Sequence, residues 1–280
     1  DYDVVLQANL KASITQGGSA AINGKSLFDV VKSLDTPTVH IKTLDNHWVE
    51  VTAGRSRFKL AGISAEDFPS ISTPSDVTWI GISKAIFKDL IEKTAFSVSD
   101  EETRMNLNGV FFKVEPGDEN MARLTMVSTD GHRLSRVITD AEVQGYDGEN
   151  FEAIVHKKGV QEVRRLLEDD ASMVEVGFAR GYVLLRVGET TLTVREIEDT
   201  YPDYERVIPP SSPVKVEINR QRMIQAIRRI SILTSSKTYI VKMELGHGRL
   251  AFTTSNPDYG EGSDEIDVSY DGDGIVVGFN

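Results

Sequence analysis

The eight residues from Ser128 to Ser135, "STDGHRLS", gather a carboxylate (Asp130), an imidazole (His132) and two hydroxyls (Ser128, Ser135). Nucleophile, base and orienting acid are the parts of a hydrolase, so Asp130, His132 and Ser135 form a candidate Asp/His/Ser set. The same letters also suit a polar turn after a strand, because "LTMVST" (124–129) alternates apolar and polar residues until Asp130-Gly131 breaks the run. Geometry weighs against catalysis. Three neighbours in one turn do not arrange nucleophile, base and orienter unless a fold aims them, and no G-x-S-x-G elbow accompanies them.

Other chemistries find less support. The chain has no cysteine, which excludes disulfides, thiolate metal sites and cysteine nucleophiles and suits a reducing cytoplasm. Its histidines, at 40, 47, 132, 156 and 247, show no metal-ligand spacing. "DVSYDGDGIVVG" (267–278) lacks the terminal Glu of a calcium loop, so "DGDG" reads as a hairpin turn between apolar runs. No Walker loop or dinucleotide fingerprint occurs, and neither a cofactor nor a metal is expected. No stretch approaches the ~18 apolar residues of a membrane span. The start, "DYDVVLQANL", has no basic leader and no initiator Met, so a cytoplasmic protein without a membrane partner is expected.

The 280 residues, 40% of them hydrophobic, suffice for a sizeable core and, by length, about two domains. A net charge of -12 argues at first against nucleic acid. Its distribution reverses that inference. Four segments have helical periodicity: "KSLFDVVKSL" from Lys25, "SKAIFKDLIEKT" from Ser83, "HKKGVQEVRRLLE" from His156 and "NRQRMIQAIRRISI" from Asn219. Ser83 and Asn219 suit N-caps. Together these segments hold 13 basic and 5 acidic residues, and the remainder 18 basic and 38 acidic. The helices are cationic and the rest of the chain is anionic. Solvated helix faces rich in Lys and Arg are the plain explanation, and a surface for nucleic acid is the functional one.

Most other segments read as short antiparallel strands between Gly, Asp and Asn turns, among them "PTVHIKTL", "HWVEVTAG", "SRFKLAGI", "YVLLRVG", "TTLTVREI" and "RLAFTTS". The fold class is therefore α+β. The order helix, strand, strand, strand recurs. "GKSLFDVVKSL" with "GRSRFKLAGISAEDFPSI" parallels "HKKGVQEVRRLL" with "VGETTLTVREIEDTYPDYERV". Gly54 and Gly188 lie 134 positions apart, Pro69 and Pro202 lie 133 apart, and Ser83 and Asn219 lie 136 apart. The Pro- and Ser-rich stretches 70–76 and 207–213 read as linkers. This phase divides the chain into the second half of a unit (1–76), a whole unit (77–209) and the first half of a third (210–280), as though cut at both ends.

The motifs "GRSRFKL" (54–60), "EDFP" (66–69), "LNG" (107–109), "TDGHRLS" (129–135), "YPDYERVIP" (201–209) and "SNP" (255–257) resemble, in order and spacing over essentially the whole chain, the bacterial sliding clamp family, the beta subunit of DNA polymerase III. The resemblance implies a homodimeric ring of repeated DNA-clamp domains, with antiparallel sheets outside and helices lining a hole around double-stranded DNA. It implies a non-catalytic processivity factor at the nucleoid, opened by a separate ATP-driven clamp loader. A ring needs positive charge only on its bore, and sequence-independent phosphate contacts permit sliding. Lys25, Lys84, Lys88, Arg104, Lys157, Lys158, Arg222 and Arg229 are the candidate DNA contacts.

In that family the turn in the opening stretch helps form a pocket for short linear peptides of the replicative polymerase, clamp loader and repair polymerases. By motif its lining is Leu107, Thr129, Gly131, His132, Arg133, Leu134, Pro202, Arg206 and Val207. Gly131 lets backbone approach, the apolar residues supply walls, and the arginines meet acidic groups. The family's pocket also uses residues beyond this sequence, so an incomplete pocket is expected. For the ring interface the resemblance offers Arg55, Arg57, Phe58 and Leu60 on one side and Ile232, Leu233, Asp258, Glu261 and Glu265 on the other. An Asp/His/Ser hydrolase and a protein-binding adaptor independent of replication are the competing readings.

Overall fold

The computed structural model describes residues 3–68, 74–101, 103–118, 121–168, 172–212, 214–234 and 240–279. Pro69, most of the expected linker 70–76, and Pro213 lie outside them. Two compact units divide the chain at Pro202/Asp203.

In the first unit the elements run β1 (Val4–Ala8), β2 (Ala21–Ile22), α1 (Gly24–Lys32), β3 (His40–Thr43), β4 (Val49–Ala53), β5 (Ser56–Leu60), β6 (Gly62–Ile63), β7 (Thr78–Ser83), α2 (Lys84–Glu92), β8 (Gly109–Pro116), β9 (Ala122–Thr129), β10 (Leu134–Ala141), β11 (Phe151–His156), α3 (Lys157–Leu166), β12 (Met173–Ala179), β13 (Tyr182–Val187) and β14 (Thr190–Arg195). The second unit holds α4 (Arg220–Ile230), β15 (Val241–Gly246), β16 (Arg249–Asn256), β17 (Gly260–Asp267) and β18 (Ile275–Phe279).

All four expected helices form, and Asn219 caps α4 through its side chain, accepting the Arg222 N–H at 3.1 Å. Ser83 occupies the N-cap position of α2 but makes no side-chain cap bond. Short antiparallel strands make up the rest, as their alternation requires. The sheet orders are β1-β14-β13-β12-β7, β10-β9-β8-β11 and β3-β4-β5 in the first unit, and β17-β16-β15-β18 in the second.

The repeat is visible in backbone detail. Gly54 turns β4 into β5 at φ +57° and Gly188 turns β13 into β14 at φ +56°. Such tight turns need a residue that tolerates positive φ, hence glycine at both. The order β17-β16-β15-β18 has the same form as β10-β9-β8-β11. One expectation gains a contact and another changes. A sheet crosses the expected boundary at 76/77, because β1 pairs with β14 (Val4↔Val194), which joins the start of the chain to the central repeat. "DGDG" does not close a hairpin, because β18 pairs with β15 rather than with β17.

The main core lies between α2, α3 and the sheets of the central repeat. Ile80, Ile82, Phe87, Leu90, Phe112, Leu124 and Val163 are all buried in it. The apolar stripe of α2 expected from its periodicity is the face that buries Phe87, Leu90 and Ile91. The second unit has its own smaller core around Ala226, Ile230, Leu250 and Phe252.

The approach of α3 to β14 is set by Gly159, where a Cβ would overlap the Val194 side chain. Gly159→Ala is therefore expected to destabilise the first unit by about 1–3 kcal/mol through overpacking. A thermal melt of the variant beside the parent reads this directly.

Candidate functional site

The opening stretch is the tip of the β9–β10 hairpin, closed where Thr129 faces Leu134. Its hydrogen bonds are local. Thr129 Oγ1 donates to Arg133 O at 2.7 Å and accepts the Gly131 N–H at 3.0 Å. Asp130 Oδ1 accepts the N–H groups of His132 and Arg133, both at 3.0 Å, and its Oδ2 meets Arg133 Nε at 3.0 Å. Partial burial pushes the Asp130 carboxyl up, but the Arg133 and His132 N–H groups and the Arg133 guanidinium together hold it below the usual carboxylate range. It is a fixed anion that shapes the turn.

That geometry removes the hydrolase reading. Asp130 binds the backbone N–H of His132 and the side chain of Arg133 instead of orienting an imidazole. Ser135 Oγ shares a 2.8 Å hydrogen bond with Ser97 Oγ, and Ser128 Oγ donates to Thr94 O. Both hydroxyls are structural. Among the described residues, no three His, Asp or Glu side chains gather where they could hold a metal, and no helix is long and apolar enough to cross a membrane.

Beside the hairpin, Met105–Leu107 forms a 3-10 turn with Leu107 buried. Its neighbour Asn106 donates Nδ2 to Thr200 O at 3.2 Å, holding the turn against the segment that leads to Tyr201 and Pro202. Tyr201 is buried and stacks on Phe111 with ring centroids 5.0 Å apart, while Pro202 is exposed. Gly131 has φ +86°, and a Cβ on it would come within 2.8 Å of Arg104 Nη1. Arg104 therefore lies against this hairpin, in addition to its contact with Glu101 at 3.5 Å. Leu107, Thr129, Gly131, His132, Arg133 and Leu134 thus sit on adjoining turns of the first unit.

In the second unit, Tyr204–Val207 is another 3-10 turn. Arg206 pairs with Asp203 at 2.7 Å, and Val207 is 69% exposed.

Phe96 and Met105 are surface features that sequence reading did not single out. They are 58% and 66% exposed, and the Arg133 guanidinium stands 5.8 Å from the centre of the Phe96 ring. Their signal was available as large apolar residues within otherwise polar loops, "TAFSVS" and "RMNLNG".

The candidate cations differ in their surroundings. Lys88 lies 3.8 Å from Glu92, Lys157 pairs with Asp100, and Arg229 meets Asp264 at 2.6 Å. Lys84 is half-buried at the start of α2, and Lys158 is exposed at the start of α3. Lys25 and Arg222 stand exposed in the first turns of α1 and α4 with no carboxylate partner among the described residues. The Arg229 pairing ties that cation to β17, a contact that helix periodicity does not reveal.

Two of the sheet edges carry the residues expected at a ring interface. β5 pairs only with β4, leaving Arg55 and Arg57 exposed and Phe58 and Leu60 half-buried. Arg57 is drawn back by Glu50, with Nε–Oε2 at 2.9 Å. β17 pairs only with β16 and carries Glu261 and Glu265, with Asp258 in the turn before it. The turn Ser231–Leu233 leans on this strand, since a Cβ on Gly262 would meet Leu233 Cδ1 at 2.9 Å, and Ile232 is exposed beside it.

Repeated helix-and-sheet units, in which cationic helices accompany antiparallel sheets, define a protein of the DNA-clamp class. Three family models of the DNA polymerase III beta subunit match in series: the N-terminal domain over residues 1–72, the central domain over 81–203 and the C-terminal domain over 205–280. The beta sliding clamp of Pseudomonas putida is 32% identical over 263 residues, 94% of this chain and 70% of the relative. That of Caulobacter vibrioides is 32% identical over 100% of this chain and 75% of its own.

Among solved structures, the sliding clamp of Bartonella birtlesii bound to griselimycin superposes with a TM-score of 0.91 at 29% identity, covering 100% of this chain and 74% of that one. The beta subunit of Pseudomonas aeruginosa gives 0.87 at 31%, covering 100% and 75%. The chain belongs to the family of the DNA polymerase III beta subunit, the bacterial sliding clamps. Its function class is that of a non-catalytic processivity factor of DNA replication.

Proposed function

We propose that the β9–β10 hairpin, with the Leu107 turn and Pro202, receives a short linear peptide of polymerase, clamp loader or repair polymerase. The observation that carries this is the hairpin itself. Thr129 and Asp130 spend their side chains on the turn itself, so the exposed tip at Gly131 and the half-buried Leu134 present backbone and apolar surface to a ligand, while Arg133 offers a cation on the rim. A solved relative carries griselimycin, which is consistent with ligand binding in this family.

The cationic helix residues are read as sequence-independent contacts to double-stranded DNA, and residues 1–76, 77–209 and 210–280 as a half, a whole and a half clamp domain. The open edges of β5 and β17 are read as the two sides of a head-to-tail homodimer interface. β1 on β14 supports that pairing, because β5 follows the same glycine turn as β14 and presents the corresponding edge. Arg55 and Arg57 then meet Asp258, Glu261 and Glu265 around Phe58, Leu60, Ile232 and Leu233. Action in the bacterial cytoplasm, at the nucleoid, follows from the same reading.

Fluorescence polarisation of a labelled pentapeptide or hexapeptide of the Gln-plus-apolar type, titrated with this chain, tests the pocket. Saturable binding that is weakened by both Arg133→Ala and Pro202→Ala is expected. Binding indifferent to both substitutions would move the ligand elsewhere.

A further inference from the structure

Three of the four helices start on side-chain caps, and these are of two chemical kinds. Asn23 Oδ1 accepts the Ser26 N–H at 2.9 Å on α1, and Asn219 caps α4 in the same way. On α3 the cap is an imidazole: His156 Nδ1 accepts the Lys158 N–H at 3.1 Å. His156 lies 133 positions after Asn23, so one site of the repeat carries an amide in one copy and an imidazole in the other. The difference matters because an amide oxygen accepts a hydrogen bond at every pH, whereas a ring nitrogen accepts only while unprotonated.

The residues fixed by this cap are two of the candidate phosphate contacts. The Lys157 N–H is held by Asn108 O at 2.8 Å, and the next amide, that of Lys158, is held by His156. One turn further on, Gly159 brings α3 onto Val194. The first turn of α3 is thus pinned on β14, on the loop at Asn108 and at the imidazole. We propose that His156 is a positioning residue for phosphate contact, fixing the first turn of α3 with Lys157 and Lys158 and doing so only as the neutral imidazole. This rests on the reading of those lysines as duplex contacts.

The surroundings favour the neutral ring. Burial pushes the His156 pKa down, Asp3 at the start of the chain pulls it up, and Lys158 pushes it down again, with a net lowering. Lys157 beside it is paired with Asp100. From the end of β14, Arg195 donates its backbone N–H to Asp3 O at 2.7 Å, and Glu196 bridges to Val155. With a folded pKa below the unfolded value of 6.5, the unfolded chain takes up the proton first. The contribution of the neutral cap is therefore present above that value and lost as pH falls below it.

The simple electrostatic expectation has the opposite sign. A protonated His156 adds a positive charge beside two lysines, which alone would tighten duplex binding in acid. Loss of the cap instead weakens binding, by about fivefold for a cap of ordinary strength.

The test follows two quantities at one salt concentration from pH 7.5 down to the lowest pH at which circular dichroism shows the chain folded: the affinity of the whole chain for a short duplex, and the exchange protection factor of the Lys158 amide. For the parent, both should fall together as the pH passes through the lowered pKa of the ring. His156→Asn, which keeps a cap but cannot titrate, should hold both nearly constant, and His156→Ala should be low throughout. Equal or tighter duplex binding by the parent at the acid end, or the same pH trend in His156→Asn, would overturn the proposal. If no duplex binding occurs at any pH, the phosphate-contact reading fails and the positioning role with it, while the Lys158 protection factors still show whether the cap titrates.

Discussion

Gly131→Val is expected to weaken peptide binding by about tenfold to a hundredfold while leaving the rest of the chain folded. The residue sits at φ +86°, where a β-branched side chain is strained by roughly 1–3 kcal/mol, so the hairpin tip relaxes to another turn. That relaxation breaks the Thr129 and Asp130 bonds that set the positions of His132, Arg133 and Leu134. A Cβ would also displace the Arg104 guanidinium. Each 1.4 kcal/mol is tenfold in affinity, so a loss of about tenfold to a hundredfold is expected in the polarisation titration. Circular dichroism should show the strand content retained, because the tip lies outside the core formed by Phe112, Leu124 and their neighbours. An affinity equal to the parent's would mean that the hairpin does not contact the peptide.

The second large effect concerns duplex DNA. If the cationic helices touch phosphates, each lysine or arginine replaced by alanine removes about one phosphate contact and lowers the slope of log affinity against log salt by about 0.9, whatever the sequence. A combined Lys25→Ala and Arg222→Ala variant should therefore lose close to two units of slope. Arg229→Ala should do less, because Asp264 already neutralises that guanidinium at 2.6 Å. Titrations at several salt concentrations against two unrelated duplexes measure both quantities. A change confined to one of the duplexes would indicate base readout and contradict sliding.

How much of this was legible beforehand follows from which forces are local. The four helices, the glycine turns at 54 and 188 and the polar turn after the strand ending at Thr129 are written in short-range periodicity and turn chemistry, and all formed. The charge segregation pointed to the helices as the cationic elements despite a net charge of -12.

Long-range pairing was not legible. β18 joins β15 across an intervening hairpin, and β1 joins β14 across nearly the whole first unit, because strand partners are chosen by edges and cores that no window of sequence contains. Side-chain partnerships were hidden for the same reason. Nothing near Arg229 in the sequence announces Asp264, and nothing near Gly131 announces Arg104. The Asp/His/Ser set shows the converse error, since adjacency in sequence supplied the right groups while the fold spent Asp130 on amides and Ser135 on Ser97.

On the clamp reading, topology and not affinity holds the protein on DNA. The most direct test loads the labelled chain onto a nicked circular plasmid with a clamp loader and ATP, removes free protein by gel filtration, and then linearises half the sample with a single-cutting nuclease. Protein that co-elutes with the circle and is released after the cut is the predicted result. Protein that stays on both forms alike, or never co-elutes with the circle, would contradict it.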